Sequence, residues 1–474
     1  MSNNKTHKRV LNLLGVATFI LFGMPKLSLK FGPLPIYAID VLLFVIYLNS
    51  RPIKSLLRPR FNVATLIYII AGIAVFSEVY GAIVMGEFLR PIYLATRTFL
   101  AISVFFSVSK IVQKTEDLLI IGRFALFGGL VSAALLILTS LGATRGFITA
   151  TVFSISFLEP SYYSVEILEN AQDATRGRSL IGVSILSGAF LNTIWPIMLY
   201  MRGFKVFIKR YKLLILLSVF LIPIGITFTY SRGAILGLLL VVLGIVFYNG
   251  GKARGLIIFG VSSIVIFFST IGWNSDLFYF ERITKSTARI FEEGAETTSE
   301  TERRFAYSEP FEHLVQNPLF LFFGEGFGRF KVYNNRSNRL NAGMGKATHA
   351  VFAKAYYSYG MIASLGYIFL LLRAFHVTLS YARVSGSNNQ ATIFSRALMA
   401  SLLGLFPWFL LGHAVVSTTR GGILFFFILG LVSAQSNIHY SERYKAWFFK
   451  VKWPKIKAMR QRQIAKQKEL AEAS

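Results

Sequence analysis

Residues 213–249 read LLILLSVFLIPIGITFTYSRGAILGLLLVVLGIVFYN. Two apolar runs, near 213–230 and 233–249, are parted only by Ser231 and Arg232. Each approaches the roughly 20 residues that a helix needs to cross about 30 Å of hydrocarbon. Basic clusters flank the pair: Arg202, Lys205, Lys209, Arg210 and Lys212 before it, Lys252 and Arg254 after it. Short loops rich in Lys and Arg stay on the cytoplasmic side. The two runs therefore form a helical hairpin, and Arg232 lies at its tip on the opposite face.

The same pattern extends along the chain. The 474 residues are 54% hydrophobic, with a mean hydropathy of +0.56, against about 45–50% apolar in soluble domains. Further apolar blocks lie near 10–24, 34–48, 61–85, 92–109, 118–141, 179–201, 256–273, 350–372, 394–413 and 421–434. Backbone groups in lipid must be satisfied within the segment, so the blocks are expected to be helices. The alternating ten-residue segments of a membrane β-barrel are absent. The expected fold is an all-α integral membrane protein of about twelve transmembrane helices. Lys5, Lys8 and Arg9 precede the first block as in a signal peptide, but no small-residue cleavage site follows, so that block reads as an uncleaved span.

With the N-terminus inside, the basic segments 49–60, 110–117, 202–212, 250–255 and 373–393 fall on the cytoplasmic face. Segments 142–178 and 274–349 fall outside. The chain then divides into an N-terminal bundle, 1–273, of about nine spans, a large extracytoplasmic loop, 274–349, a C-terminal group of three spans, 350–434, and a basic cytoplasmic tail, 435–474. Acidic and basic residues balance in the large loop, as a translocated segment tolerates. The formal net charge of +28 would suggest nucleic acid in a soluble protein. Here the cations sit in short loops and in the tail, which suits the anionic cytoplasmic face of a membrane. Trp447, Phe448, Phe449 and Trp453 interleave with the tail's lysines, as in a membrane-surface segment; a solvated basic tail fits equally. No cysteine is present, so disulfides and thiolate metal sites are excluded. No internal repeat is visible.

Several residues could carry chemistry. Arg232 sits in Thr229-Tyr230-Ser231-Arg232-Gly233-Ala234 and reads either as an anion site or as an interfacial Arg snorkelling to water. Arg420, in Thr418-Thr419-Arg420-Gly421-Gly422, repeats that turn on the same face, and guanidinium suits phosphate oxygens. Arg97 and Glu78 fall in adjacent spans and read as a structural ion pair, or Arg97 lines a polar cavity. In the large loop, Arg303 and Arg304 open a stretch with partial helical periodicity through Phe305, Phe311, Leu314 and Val315. Gly324-Glu325-Gly326-Phe327-Gly328 follows; its spacing and lack of a βαβ context exclude a dinucleotide loop, and its glycines fit tight turns or close backbone approach to a ligand. Of the loop's two histidines, His313 falls inside the helical stretch. His349 stands where the loop re-enters the membrane and reads as a general acid or base, or as an ordinary interfacial His. No metal-ligand spacing is present.

In this order, these elements resemble the bacterial O-antigen ligase and O-antigen polymerase superfamily. The matching stretches are Tyr230–Leu236, Arg303–Gly328 and His349–Gly360. In the second, Arg303 is followed by Tyr307 and then Asn317-Pro318-Leu319. Family members carry a His-Asn pair and a Gly-aliphatic-aliphatic-Gly step; here Ala350 stands in the Asn position, and Ser364 follows Gly360-Met361-Ile362. The resemblance implies a GT-C-like inverting glycosyltransferase that needs neither metal nor cofactor. It would act at the outer face of the bacterial inner membrane, with both termini cytoplasmic, on a glycan carried by undecaprenyl diphosphate. Family roles fall on Arg232, Arg303 and His349 as catalytic residues. Arg304 and Arg420 join Arg232 and Arg303 as diphosphate ligands, and Gly324, Gly326 and Gly328 shape the periplasmic loop. Membrane lipid and a chain-length regulator are the implied partners.

The expected activity is polymerisation of lipid-linked repeats. Ligation of the glycan to lipid A–core or another acceptor is the alternative within the same chemistry. A lipid-linked glycan flippase is the alternative of another class, but transporters often carry inverted repeats and have no need of a large loop ending in His.

Overall fold

The computed structural model describes residues 2–23, 28–31, 34–50, 63–85, 89–140, 184–201, 205–229, 231–248, 318–324, 351–383, 390–411 and 420–447, with residues 454, 459 and 461 of the tail. In chain order the elements are α1 (Ser2–Gly23), β1 (Ser28–Phe31), β2 (Leu34–Tyr37), α2 (Ala38–Ser50), α3 (Ala64–Met85), α4 (Leu89–Ile111), α5 (Asp117–Ser140), α6 (Ser184–Tyr200), α7 (Lys205–Thr227), α8 (Arg232–Tyr248), α9 (Pro318–Phe323), α10 (Val351–Ala382), α11 (Gln390–Leu411) and α12 (Arg420–Trp447). Among the described residues, five helices are long and apolar enough to cross a membrane, in α4, α5, α7, α10 and α12, and α2, α3 and α8 contain shorter apolar stretches.

The distribution of side chains is that of a bundle in lipid. On α8, Leu236, Leu239, Leu243 and Phe247 form an exposed apolar stripe at helical spacing, while Leu238, Val241, Val242 and Ile245 face inward. Polar side chains are found inside instead: Asn192, Thr193, Ser395 and Gln435 are fully buried. Small residues let helices approach closely, the usual device where lipid supplies no hydrophobic drive between helices. Gly23 of α1 lies backbone to backbone with Gly128 of α5, and Gly225 of α7 lies on Ala133 of the same helix. α12 is the central element, with 94% of its apolar window buried.

Interhelical contacts sort the helix ends into two sets. At one end, His7 meets Asp117 at 3.5 Å, Thr115 donates to Gln390 at 3.2 Å, and Ser50 approaches Ser107 at 3.4 Å. There too the Tyr381 ring stacks on His439 at 4.3 Å, and Ser395 bonds that imidazole at 2.9 Å. These contacts gather the starts of α1, α5 and α11 with the ends of α2, α4, α10 and α12. At the other end, Phe22 of α1 packs on Phe190 of α6 and Phe427 of α12, and Asn192 of α6 bonds α8 near its start.

Three expectations change. Residues 34–37 are not the start of a span but a strand, paired antiparallel with 28–31 in the register Ser28↔Tyr37 to Phe31↔Leu34. Pro33 and Pro35 explain this, because proline disfavours helix at the residue before it and removes a donor. The last span does not stop at 434; α12 runs on to Trp447, and its polar residues find partners, with Ser433 on Ser109 at 2.7 Å and Gln435 on Ser395 at 2.7 Å. α10 likewise continues past 372 to Ala382. The block near 256–273, the loop 142–178 and most of 274–349 lie outside the described residues.

Candidate functional site

The Ser-Arg-Gly turn is built from the backbone outward. α7 ends at Thr227, and Thr229 turns its hydroxyl onto the Ile226 carbonyl at 2.6 Å. Ser231 then caps α8: its carbonyl accepts from the Ile235 N–H at 3.0 Å, and its hydroxyl faces the Ala234 N–H at 3.4 Å. Ser at the N-cap satisfies donors that have no intrahelical partner. Arg232 is thereby the first residue of α8, at the positive end of that helix's dipole. α6 locks the turn in place: Asn192 donates to the Ala234 carbonyl at 2.7 Å, and Gly188 lies against Ala234 and Thr229.

The large loop is described at one point, the helix α9 and Gly324. α9 opens on Pro318, a residue suited to a first helical position, and closes on Gly324, whose N–H bonds the Phe320 carbonyl at 2.7 Å. Gly324 has φ of +73°, the left-handed conformation that ends helices and favours Gly. It lies directly on the Ser358–Tyr359 peptide of α10. Arg303, Arg304, Gly326, Gly328 and His349 lie outside the described residues. In the chain, His349 precedes α10 by two residues.

The family model described as O-antigen ligase matches residues 216–368. Over that segment the chain is similar to the O-antigen ligase family. The O-antigen ligase segment opens inside α7 and closes inside α10. It takes in every residue of the three matching stretches: the Arg232 turn, Arg303 with Arg304, the glycines 324, 326 and 328, and His349. Members of this family are glycosyltransferase-like membrane enzymes. No curated protein matches the chain.

Arg420 lies beyond the O-antigen ligase segment. It is the first residue of α12, as Arg232 is of α8. The contacts of Phe427 and Asn192 place both helix starts at the same end of the bundle. The Gly324 contact with early α10 falls at this end as well, since α10 carries its last turn to the opposite end through Tyr381.

Arg97 does not pair with Glu78. It pairs with Asp40 in the first turn of α2, Nε to Oδ2 at 2.9 Å. Its guanidinium also lies over Tyr37 at 4.4 Å and Tyr93 at 5.6 Å. Glu78 is 1% exposed and sits with Thr98 and Tyr359 between α3, α4 and α10. Span adjacency suggested the first pairing, but helix azimuth decides which side chains meet. Asp40 could have been noticed as an isolated acid in the apolar run Ile36–Ile46. Ser77, which reaches the α9 carbonyl of Phe323, carries no signal in the sequence.

Proposed function

We propose that the protein is a membrane glycosyltransferase that polymerises undecaprenyl-diphosphate-linked oligosaccharide repeats at the outer face of the inner membrane, with inversion and without a metal. The observation that carries this reading is the single family segment, 216–368, that joins the Ser-Arg-Gly turn, the loop Arg pair and His349. The acceptor hydroxyl attacks the anomeric carbon from the face opposite the lipid diphosphate. The C–O bond to phosphate breaks, and its electron pair leaves on the diphosphate. Arg232 and Arg303, with Arg304 and Arg420, neutralise that growing charge, an effect that is commonly the largest in catalysis. His349 takes the hydroxyl proton, a contribution of about 10²–10⁴-fold.

The family description favours a second reading, ligation of the glycan to lipid A–core or another acceptor. Purified protein given only lipid-linked repeat separates the two. A ladder of products of increasing length supports polymerisation. Product formed only when a different acceptor is added supports ligation. Movement of lipid-linked glycan across a vesicle bilayer without any new glycosidic bond would assign a flippase instead.

A further inference from the structure

α9 and α10 meet at a joint of two glycines. Gly324 ends α9 with φ of +73°, and Gly360 breaks α10 with φ of +76° and ψ of −177°. Side chains rarely adopt the first conformation, and the second is essentially confined to glycine. The contact is reciprocal. A Cβ on Gly324 would overlap the Ser358 and Tyr359 backbone, and a Cβ on Gly360 would overlap the Phe322 carbonyl and the Phe323 nitrogen. Two backbones thus touch where neither tolerates a side chain.

α3 closes the joint from the other side. Ser77 is fully buried, and its hydroxyl lies between the Ile73 carbonyl at 2.7 Å and the Phe323 carbonyl, so its one proton serves either. Phe76 meets Phe323 edge-on at 5.3 Å, and Tyr80 meets Phe320 at 5.5 Å. One end of α9 is therefore held by α3 and α10 together. Arg303 and Arg304 precede this anchor in the chain. On the other arm, the break at Gly360 sets the direction of the first turns of α10, the turns that follow His349.

We propose that Ser77, Gly324 and Gly360 are positioning residues that register the large loop against the His349 end of α10. They act through the loop arginines and His349 and do not touch the reacting atoms. The inference rests on the glycosyltransferase reading above. A misplacement of about 1 Å at a reacting group can cost about 10²-fold in rate.

The test uses the full chain in lipid nanodiscs with lipid-linked oligosaccharide as donor. The chain holds no Cys, so Phe76→Cys with Phe323→Cys forms a unique pair for a short bis-methanethiosulfonate cross-linker. Gly72→Ala is the control in α3, because a Cβ there meets nothing. Gly360→Ala should weaken the cross-link and lower kcat by about 10²-fold, while KM for the donor moves by less than about threefold. Ser77→Ala, which adds no bulk, should lower kcat in the same sense and keeps the test open if Gly360→Ala does not fold. Cross-linked protein should retain its turnover. Wild-type kcat in both variants, a change confined to KM, or loss of turnover on cross-linking would each overturn the positioning role. Absence of product from the wild-type protein would overturn the glycosyltransferase reading itself, and the positioning role with it.

Discussion

Arg97 of α4 reaches Asp40 in the first turn of α2, with Nε 2.9 Å from Oδ2, and both side chains are largely buried. The carboxylate also faces the start of its own helix, where the dipole favours negative charge. Tyr37 and Tyr93 lie on the guanidinium and shield it from lipid. The pair ties the β1–β2 hairpin and α2 to α4.

Removing Asp40 takes the carboxylate away from the buried Arg97 guanidinium. Asp40→Ala is expected to lower unfolding stability by about 3 kcal/mol, whereas Asp40→Leu with Arg97→Met should recover most of that loss. Denaturant titration in detergent, followed by Trp fluorescence, measures both. Equal stability of Asp40→Ala and wild type would show that the pair contributes nothing.

His349→Ala should abolish product while lipid-linked donor accumulates in cells. If His349 is the general base, the loss is about 10²–10⁴-fold in kcat. Gel analysis of the glycan beside extraction of the lipid-linked pool reports both quantities. Normal product length and amount from this variant would remove His349 from the mechanism.

Arg232→Lys keeps the charge at the start of α8 but loses the planar fork that matches phosphate oxygens. It should fall short of wild type, and Arg232→Ala should fall further, by about 10²–10³-fold in kcat. Initial rates with purified protein give the ranking. Full activity of Arg232→Ala would assign this residue to the membrane interface alone.

Asn192 holds the Ser-Arg-Gly turn through the Ala234 carbonyl at 2.7 Å. Asn192→Ala should cost about 1–2 kcal/mol of stability and reduce turnover less than Arg232→Ala does. Thermal melts beside initial rates separate the two effects. A larger activity loss in Asn192→Ala than in Arg232→Ala would mean that Asn192 has a role of its own in the chemistry.

In the proposed mechanism guanidinium groups take the place of a divalent ion, which predicts a rate insensitive to chelation. Product formation should be unchanged after EDTA treatment and dialysis. Loss of activity that is restored by one added divalent cation would replace the arginine mechanism by a metal-assisted one.

The sequence alone determined the hydrophobic blocks, and eleven of the twelve expected spans overlie described helices. It also located the hairpin whose turn carries Arg232, because span length and charge bias are local properties. The glycines at 324–328 read as tight turns or close backbone approach to a ligand, and Gly324 does turn the chain with φ of +73°; the Ser231 cap emerged only from the structure. Only the tertiary structure decided that Arg97 meets Asp40, that α12 is the buried centre, and that Gly324 and Gly360 are backbone partners across the loop. In water an amphipathic stripe shows which side of a helix faces inward. In lipid the outward face is as apolar as the core, so periodicity marks no direction, and the neighbours of each helix emerge only once the bundle is packed.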